Sequence, residues 1–316
     1  MKRGLFLLIT ALLCLSCSRD RYIAVSGYAQ GGTYTVKMNL RGVKTPPAQI
    51  QMAIDSILLE IDNTLSGYNR NSVLSRFNAG EEVPFNPMFQ DILELSHSLK
   101  VETAGAFDVG AAPLFDVWGF GFTRDSLPEP ERILEAMAQN GNKLNFNAIA
   151  QGYTCDLVAD YLHGIGVKDM LVDIGEIFCE GRNPQGRGWT IGIDSPVDGN
   201  ETPGETLQGI HVCSEEPQGI VTSGNYRKYY VQDGRKYAHT IDPRTGYPVD
   251  HNLLSATIKA PTAAMADAYA TYCMVIGLEE SRAFILSRPD IEGFLVFDQG
   301  GQMSTWASDG FQVTLR

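Results

Sequence analysis

The order in which helix-like and strand-like patterns follow one another constrains the fold of this chain most. Strand patterns at residues 22–28 and 33–40 precede a helix whose apolar residues share one face. Later strand patterns, from residues 207–212 to a hairpin turn at 233–234, succeed each other without intervening helices. Doubly wound parallel sheets require regular strand–helix alternation. The sequence therefore predicts an α+β fold with a mixed, mainly antiparallel sheet and packed helices.

Composition and charge narrow the classes of function. The chain has 316 residues, of which 44% are hydrophobic and 20% charged, as in a folded protein of one large domain or two ordinary ones. Its formal net charge of −12 argues against nucleic acid as a partner, because phosphate binding needs a basic surface. The sequence has no GxGxxG or Walker motif, so a bound nucleotide would not use a Rossmann or P-loop site.

The N-terminus has the pattern of a targeting segment. Two basic residues precede an apolar run over residues 5–15, which is too short to span a membrane. A small residue before Cys17 resembles the cleavage site of bacterial lipoproteins. We expect residues 1–16 to be a signal peptide and residues 17–316 to be exported to the periplasmic side, with Cys17 lipidated and anchored to a membrane. The alternatives are lipidation at Cys14 and a cleaved secretory signal without lipid.

The other four cysteines form no CxxC pair and no metal-ligand spacing. They are Cys155, Cys179, Cys213 and Cys273. One disulfide is open to an exported protein, but separate buried thiols are the expectation.

A histidine and an aspartate three residues apart form the first candidate catalytic pair. His239 ends a predicted strand, and Asp242 begins a turn. Pro243 biases Asp242 toward an extended conformation, and Gly246 supplies the freedom that a tight turn needs. Rigid turns at strand ends commonly hold catalytic groups. The alternative is a hairpin with a structural histidine. Just upstream, residues 222–225 are predicted to form a polar turn able to bind an anion through backbone N–H groups.

A small-residue helix predicted at residues 263–276 carries the candidate metal site. Asp267 and Thr271 lie at positions i and i+4 on one face. A carboxylate and a hydroxyl on an otherwise apolar helix need partners, and Mg²⁺ prefers oxygen ligands. The alternative is that Thr271 bonds back along its helix while Asp267 is solvated.

An aromatic and glycine-rich stretch at residues 106–122 follows no simple period. Such a stretch often lines a pocket for a flat ligand. The alternative is a glycine-rich loop packed on the core.

Taken together, these segments resemble the ApbE family, the FAD:protein FMN transferases. Members of this family are exported bacterial lipoproteins that modify proteins with flavin. The resemblance covers nearly the whole mature chain in many ordered matches. They are GGTYTV at 31–36, LSGYN at 65–69, SVLSRFN at 72–78, GAFDVGAAPL at 105–114, WGFG at 118–121, IAQGYTCD at 149–156, LVDIGE at 171–176, TSGNYRKYY at 222–230, HTIDPRTGYPV at 239–249 and AMADAYAT at 264–271.

The resemblance implies a fold with an FAD cleft and a divalent cation, Mg²⁺, at the pyrophosphate. Family members transfer FMN from FAD to a Thr or Ser hydroxyl of an acceptor protein, and AMP leaves. The acceptor carries a motif similar to S/T-G-A-T/S and belongs to membrane redox complexes. Two alternatives remain open at this point: a metal-dependent pyrophosphatase that hydrolyses FAD to FMN and AMP, and a flavin-binding lipoprotein without turnover.

The resemblance also implies roles for individual residues. Asp267 and Thr271 would bind the metal, together with backbone oxygens of Ala148 and Ala270. His239 would assist the transfer as a base, held by the turn at Asp242. The expected FAD contacts are Tyr68, Ala106, Phe107, Asp108, Asn145, Gln151 and Ile241, with Ser223 from the polar segment.

Three residues depart from the family pattern. Gln151 stands where many relatives have Lys or Glu, and Asn145 where Asp is common. Glu176 stands where a Gly is common. The first two changes replace a charge with an amide, so we expect the nucleotide contacts to be retuned while the chemistry is kept.

Overall fold

A computed structural model describes residues 20–120, 127–197, 199–200, 202, 204–226, 229–232 and 235–316. The helices are α1 Pro47–Leu65, α2 Val73–Asn78, α3 Pro87–Glu102, α4 Ala112–Val117, α5 Pro130–Ala138, α6 Ala150–Gly164, α7 Ala263–Ile276 and α8 Leu278–Ser287. Across these ranges, no helix is long and apolar enough to cross a membrane. The expected signal peptide, the lipidation site at Cys17 and the turn at residues 233–234 lie outside the described residues.

The strands form one large sheet and three small ones. They are β1 Tyr22–Ala29, β2 Gly32–Asn39, β3 Met170–Asp173, β4 Ile177–Glu180, β5 Thr190–Asp194, β6 Leu207–Val212, β7 Gln218–Gly224, β8 Tyr229–Gln232, β9 Arg235–Ala238, β10 Ile241–Asp242, β11 Tyr247–Pro248, β12 Leu253–Ala260, β13 Glu292–Asp298, β14 Met303–Ala307 and β15 Val313–Leu315. The main sheet has the order β1-β2-β3-β4-β7-β12-β13-β14, and the second sheet has the order β15-β6-β5. Every described strand pair is antiparallel, which confirms the α+β prediction.

The main sheet is covered on both faces, because neighbouring side chains along a strand point to opposite sides. On β13, Leu295 belongs to the apolar core that includes α3, α6 and α7. The adjacent Phe294 and Val296 instead pack with Ile193 and Phe311, which belong to the part of the chain that forms the second sheet. The helices therefore occupy one face of the main sheet, and the β5–β6–β15 sheet occupies the other.

Several elements were not predicted, and one prediction about an element was wrong. α4, α8 and β4 were missed, although the buried positions of α8 (Leu278, Ser281 and Ile285) do lie at helical spacing. Residues 222–224 are the end of strand β7 rather than a polar turn, since Thr222 pairs with Thr257 and Gly224 with Ser255. The N–H group of Asn225 donates to the carbonyl oxygen of Leu254. Residues 222–225, which were predicted to bind an anion through their N–H groups, are therefore paired with or bonded to β12.

His211 on β6 is a buried histidine whose charge would oppose folding. Its ring stacks on Phe311 with centroids 4.3 Å apart, and Nδ1 bonds to the carbonyl oxygen of Gln312 at 2.8 Å. Burial lowers the pKa of His211, and nearby Lys259 adds to this, although the hydrogen bond opposes it. The neutral ring that the fold prefers is fully populated above the unfolded-state pKa of about 6.5. Stability should therefore be lost as the pH falls below that value.

We expect the urea midpoint of the wild type to fall more between about pH 7.5 and about pH 5 than that of His211→Phe. The exposed His97 on α3 provides the control, and His97→Gln should keep the wild-type pH dependence. Equal pH dependence in the wild type and His211→Phe would contradict the assignment.

Candidate active site

An open cleft with a volume of about 330 Å³ lies where the end of β7, helix α7 and the loops before α4 and α6 meet. Its walls come from segments that are far apart in sequence. The candidate residues that line it are Tyr68, Ala106, Phe107, Asp108, Asn145, Ala148, Ser223, His239, Ile241, Asp267 and Thr271. Most of the expected site residues are thus brought together in one place. Gln151, Asp242 and Ala270 are the exceptions.

Helix α7 positions Asp267 by close packing at its N-terminal end. Thr262 caps the helix by accepting from the N–H of Met265 at 3.2 Å, and Asp156 on α6 accepts from Ala263 and Ala264 at 2.8 Å each. The Asp267 carboxylate accepts one backbone bond, from Gly152 N at 3.1 Å. Burial raises the pKa of Asp267 to about 7, and the negative charge of Asp156 contributes. Asp267 is thus a buried carboxylate that faces the cleft, and no cationic side chain among the described residues contributes to its pKa shift.

Oxygen atoms from neighbouring segments lie beside Asp267. Thr271 follows one turn later on α7, and its hydroxyl oxygen is 3.5 Å from that of Ser223 on β7. Ala148, just before α6, also lines the cleft, whereas Ala270 is fully buried in the core and does not. Among the described residues, no group of three or more His, Cys, Asp and Glu side chains is arranged to hold a metal ion. The candidate cation ligands named from the sequence are the carboxylate of Asp267 and neutral oxygens of Thr271 and Ala148, which all line the cleft.

Gly152 on α6 lies against the backbone at the start of α7. A Cβ atom there would lie 2.2 Å from the carbonyl oxygen of Ala263, and a backbone atom cannot yield as a flexible side chain does. We expect Gly152→Ala to lower the free energy of unfolding by about 2 kcal/mol or more, as overpacking does, and to displace the bond to Asp267.

The matched control for this substitution is Gly164→Ala at the end of the same helix, where a Cβ atom would meet nothing within 4 Å. This control should be neutral or slightly stabilising, because alanine favours helix more than glycine does. Urea denaturation of the two variants tests the prediction, and equal midpoints would contradict it.

His239 lies in the cleft on the segment that follows β9. The next residue, Thr240, donates its hydroxyl to Asn225 Oδ1 at 2.5 Å and accepts from Val249 N at 3.0 Å. The His239 ring meets Phe120 edge to face, with centroids 6.4 Å apart. The histidine is therefore held by hydrogen bonds on its C-terminal side and by a ring contact within the cleft.

Asp242 forms the predicted turn but does not line the cleft. Its carbonyl oxygen accepts from Gly246 N at 2.8 Å, and β10 pairs with β11. Its carboxylate is turned to Arg244, which binds it through Nε and Nη2 at 2.9 and 2.8 Å. Arg244, two residues later, thus holds this carboxylate within the turn that follows His239, and the catalytic role of Asp242 stays a prediction.

The expected FAD contacts differ in their exposure and in their hydrogen bonds. Tyr68 is 73% exposed at the cleft. Asp108 is engaged by Lys100 at 2.7 Å, by Gly110 N at 2.8 Å and by Asn140 at 2.8 Å. The side-chain oxygen Oδ1 of Asn145 accepts from Asn147 N at 2.9 Å. Asp108 and Asn145 thus shape the backbone of the cleft wall.

Gln151 does not line the cleft. Its amide donates to the carbonyl oxygen of Ile174 at 3.3 Å and lies against Gly175, whose φ of +88° gives the backbone a conformation that other residues rarely adopt. The departure at Glu176, in contrast, does line the cleft. A change of nucleotide contacts is therefore better sought at Glu176 than at Gln151.

Several cleft residues escaped the sequence reasoning. Met274 and Val275 follow Asp267 by seven and eight positions on α7, so helical spacing alone would have found them. Phe115 lies on the unpredicted α4, and Tyr226 and Thr240 are brought in by the contact between Asn225 and the His239 segment. These contacts are long-range and have no local signal.

The chain matches a known protein family over most of its length. The ApbE family profile matches residues 31–295, which is most of the chain. The chain belongs to the ApbE family. An FAD:protein FMN transferase of Haemophilus influenzae is 30% identical, covering 98% of this chain and 96% of that protein. One from Salmonella typhimurium is 32% identical, covering 85% and 82%.

Solved structures of ApbE proteins share the fold. The apo form of the flavinyl transferase ApbE from Pseudomonas stutzeri superposes with a TM-score of 0.81 at 33% identity, covering 93% of this chain and 97% of that one. The flavin transferase ApbE from Vibrio cholerae gives 0.79 at 29% identity, covering 92% and 98%. The ApbE resemblance that the motifs suggested is confirmed.

Proposed function

We propose that this chain is an FAD:protein FMN transferase, which moves FMN from FAD to a Ser or Thr hydroxyl of an acceptor protein and releases AMP. The observation that carries the proposal is that one cleft collects His239 and the oxygen atoms of Asp267 and Thr271. The transferase names of the relatives support the same activity.

The residues present fit a hard divalent cation, and Mg²⁺ is the ion proposed. A carboxylate, a hydroxyl and a carbonyl oxygen are ligands of the type that Mg²⁺ takes in proteins. Asp267 and Thr271, with the carbonyl oxygen of Ala148, would hold it at the cleft. Burial makes ionisation of Asp267 costly, and a bound cation would offset that cost. When bound, Mg²⁺ supplies charge neutralisation at the pyrophosphate of FAD.

The residues of the chain orient the reactants and move the proton. His239 would accept the proton of the acceptor hydroxyl while the hydroxyl oxygen attacks the phosphorus of the FMN moiety. The bond from that phosphorus to the AMP oxygen breaks, so AMP is the leaving group. Phosphoryl transfer depends mainly on positioning and charge neutralisation. The exposed Tyr68 stands at the cleft, where a flavin ring would enter.

The test combines the purified protein, Mg²⁺, FAD and an acceptor protein that carries an S/T-G-A-T/S-like motif. Intact mass of the acceptor and released AMP are measured together. A mass gain of one FMN with matching AMP supports the transferase, and replacing the acceptor Ser or Thr with Ala should abolish it. AMP with free FMN and an unmodified acceptor would show a pyrophosphatase instead. FAD binding without AMP would show a flavin-binding protein without turnover.

We also propose that the chain is exported and held at a membrane by a lipid on Cys17, facing acceptors in membrane redox complexes. The support is the sequence pattern of basic residues, a short apolar run and a small residue before Cys17. Cell fractionation of the wild type and Cys17→Ala tests it. The same distribution of both between membrane and soluble fractions would refute the anchor.

A further inference from the structure

Two cysteines meet where the second sheet covers the main sheet. Cys179 on β4 is in register with Leu171 of β3, and Ile220 of β7 shares the same apolar cluster. Trp189 and Cys213, which flank the β5–β6 hairpin, complete that cluster. Cys179 and Cys213 are both free thiols of this cluster, at 0% and 5% exposure.

Backbone hydrogen bonds hold both cysteine segments in place. Cys213 N donates to the carbonyl oxygen of Trp189 at 2.8 Å, and Gly181 N donates to that of Glu215 at 2.8 Å. The indole N–H of Trp189 donates to the carbonyl oxygen of Glu180 at 2.9 Å. Each cysteine is thus within two residues of a bond that joins the two segments, so the fold keeps the two cysteine segments next to each other.

The two other described cysteines have different partners. The Cys155 thiol donates to the carbonyl oxygen of Glu176 at 3.1 Å, and Cys273 interacts with Ser281. Both are buried. They therefore serve as internal controls that match Cys179 and Cys213 in burial.

We propose that Cys179 and Cys213 form a disulfide when the chain folds under oxidising conditions. The two thiols release two protons and two electrons, and an S–S bond forms. The electrons reduce a disulfide-bearing oxidant, such as oxidised glutathione or a thiol–disulfide oxidoreductase, to its two thiols. The bond closes a loop over residues 179–213 that contains the β5–β6 hairpin.

Burial determines when this bond forms. Disulfide exchange proceeds through a thiolate that an oxidant can reach. In the folded protein the contact with Cys213 and burial raise the pKa of the Cys179 thiol, so the thiolate is scarce as well as covered. The bond is therefore made before the two sheets pack together and is protected from reductants afterwards.

The experiment refolds the reduced full chain in oxidised and reduced glutathione, blocks remaining thiols under denaturing conditions and maps tryptic peptides. Trypsin separates the two cysteines into peptides 169–182 and 188–227, each with one cysteine. We expect these peptides to be joined after refolding with glutathione and separate after refolding with a reductant. Native reduced protein should react far more slowly. Quantitative alkylation of both cysteines after oxidative refolding, or linkage of either to another cysteine, would overturn the proposal.

Variants provide the second readout. Cys155→Ala should keep the 169–182 to 188–227 linkage, whereas Cys213→Ala should lose it and leave Cys179 alkylated. The oxidised wild type should melt on the order of 5 °C above the reduced form, because the cross-link restricts the unfolded chain. Cys155→Ala should show the same difference, and Cys179→Ala none. An oxidised wild type that melts no higher than the reduced form would show that the bond does not fit the native sheets.

Discussion

Asp267→Asn is expected to lower turnover of FAD by about a thousandfold or more while leaving the chain folded, since a catalytic metal supplies several kcal/mol. The amide keeps the size of the side chain and an oxygen that can accept from Gly152 N. It removes the charge that would bind the cation. Burial opposes ionisation of Asp267, so the substitution should not lower stability in the absence of metal.

The readouts are AMP release and thermal shift. Mg²⁺ together with FAD should raise the melting temperature of the wild type and not that of Asp267→Asn, because ligands stabilise only the state that binds them. Activity of the variant within tenfold of the wild type would refute the metal assignment.

Asp156→Asn is the matched control for this prediction. Asp156 is a half-buried carboxylate near Asp267, but its oxygens accept from Ala263 N and Ala264 N at the start of α7, and it does not line the cleft. An amide can accept only one of these bonds well, so the variant should lose about 1–2 kcal/mol of stability. At temperatures where it is folded, its turnover should still respond to Mg²⁺. We thus expect Asp267→Asn to lose activity but not stability, and Asp156→Asn to lose stability but keep its response to Mg²⁺.

Local sequence predicts the elements that hold the site better than it predicts the partners of each side chain. The bounds of α7 were predicted as residues 263–276 and agree with the structure, because a threonine cap and a run of alanines are local signals. The same helix placed Asp267 and Thr271 on one face, and both line the cleft. The turn after His239 was also predictable, because its Pro and Gly determine the backbone.

Sequence reasoning was less informative where segments that are remote in the chain decide what a polar group contacts. Residues 222–224 looked like a polar turn, but pairing with β12 makes them a strand. Gln151 is predicted to contact the nucleotide; its amide donates to the carbonyl oxygen of Ile174, a contact that the local sequence does not indicate, and its nucleotide contact stays a prediction. No local pattern encodes these contacts.

His239→Ala is expected to slow FMN transfer about 10²–10⁴-fold, the usual contribution of a general base, while FAD still binds with an affinity within severalfold of the wild type. The other residues that line the cleft are unchanged in the variant, so the surface that binds FAD is largely kept. Thr240 keeps its bonds to Asn225 and Val249, so the backbone of the segment should not move. Removing the imidazole should therefore change the chemical step far more than the binding step.

Single-turnover transfer to the acceptor and equilibrium titration with FAD measure the two steps separately. His163→Ala provides the control, because that histidine pairs with Glu180 and does not line the cleft, and its rate should match the wild type. Added imidazole should restore part of the rate of His239→Ala and should not affect the control. If the variant loses FAD affinity but transfers bound FMN at the normal rate, His239 is a binding residue. The proton of the acceptor hydroxyl must then leave by another route.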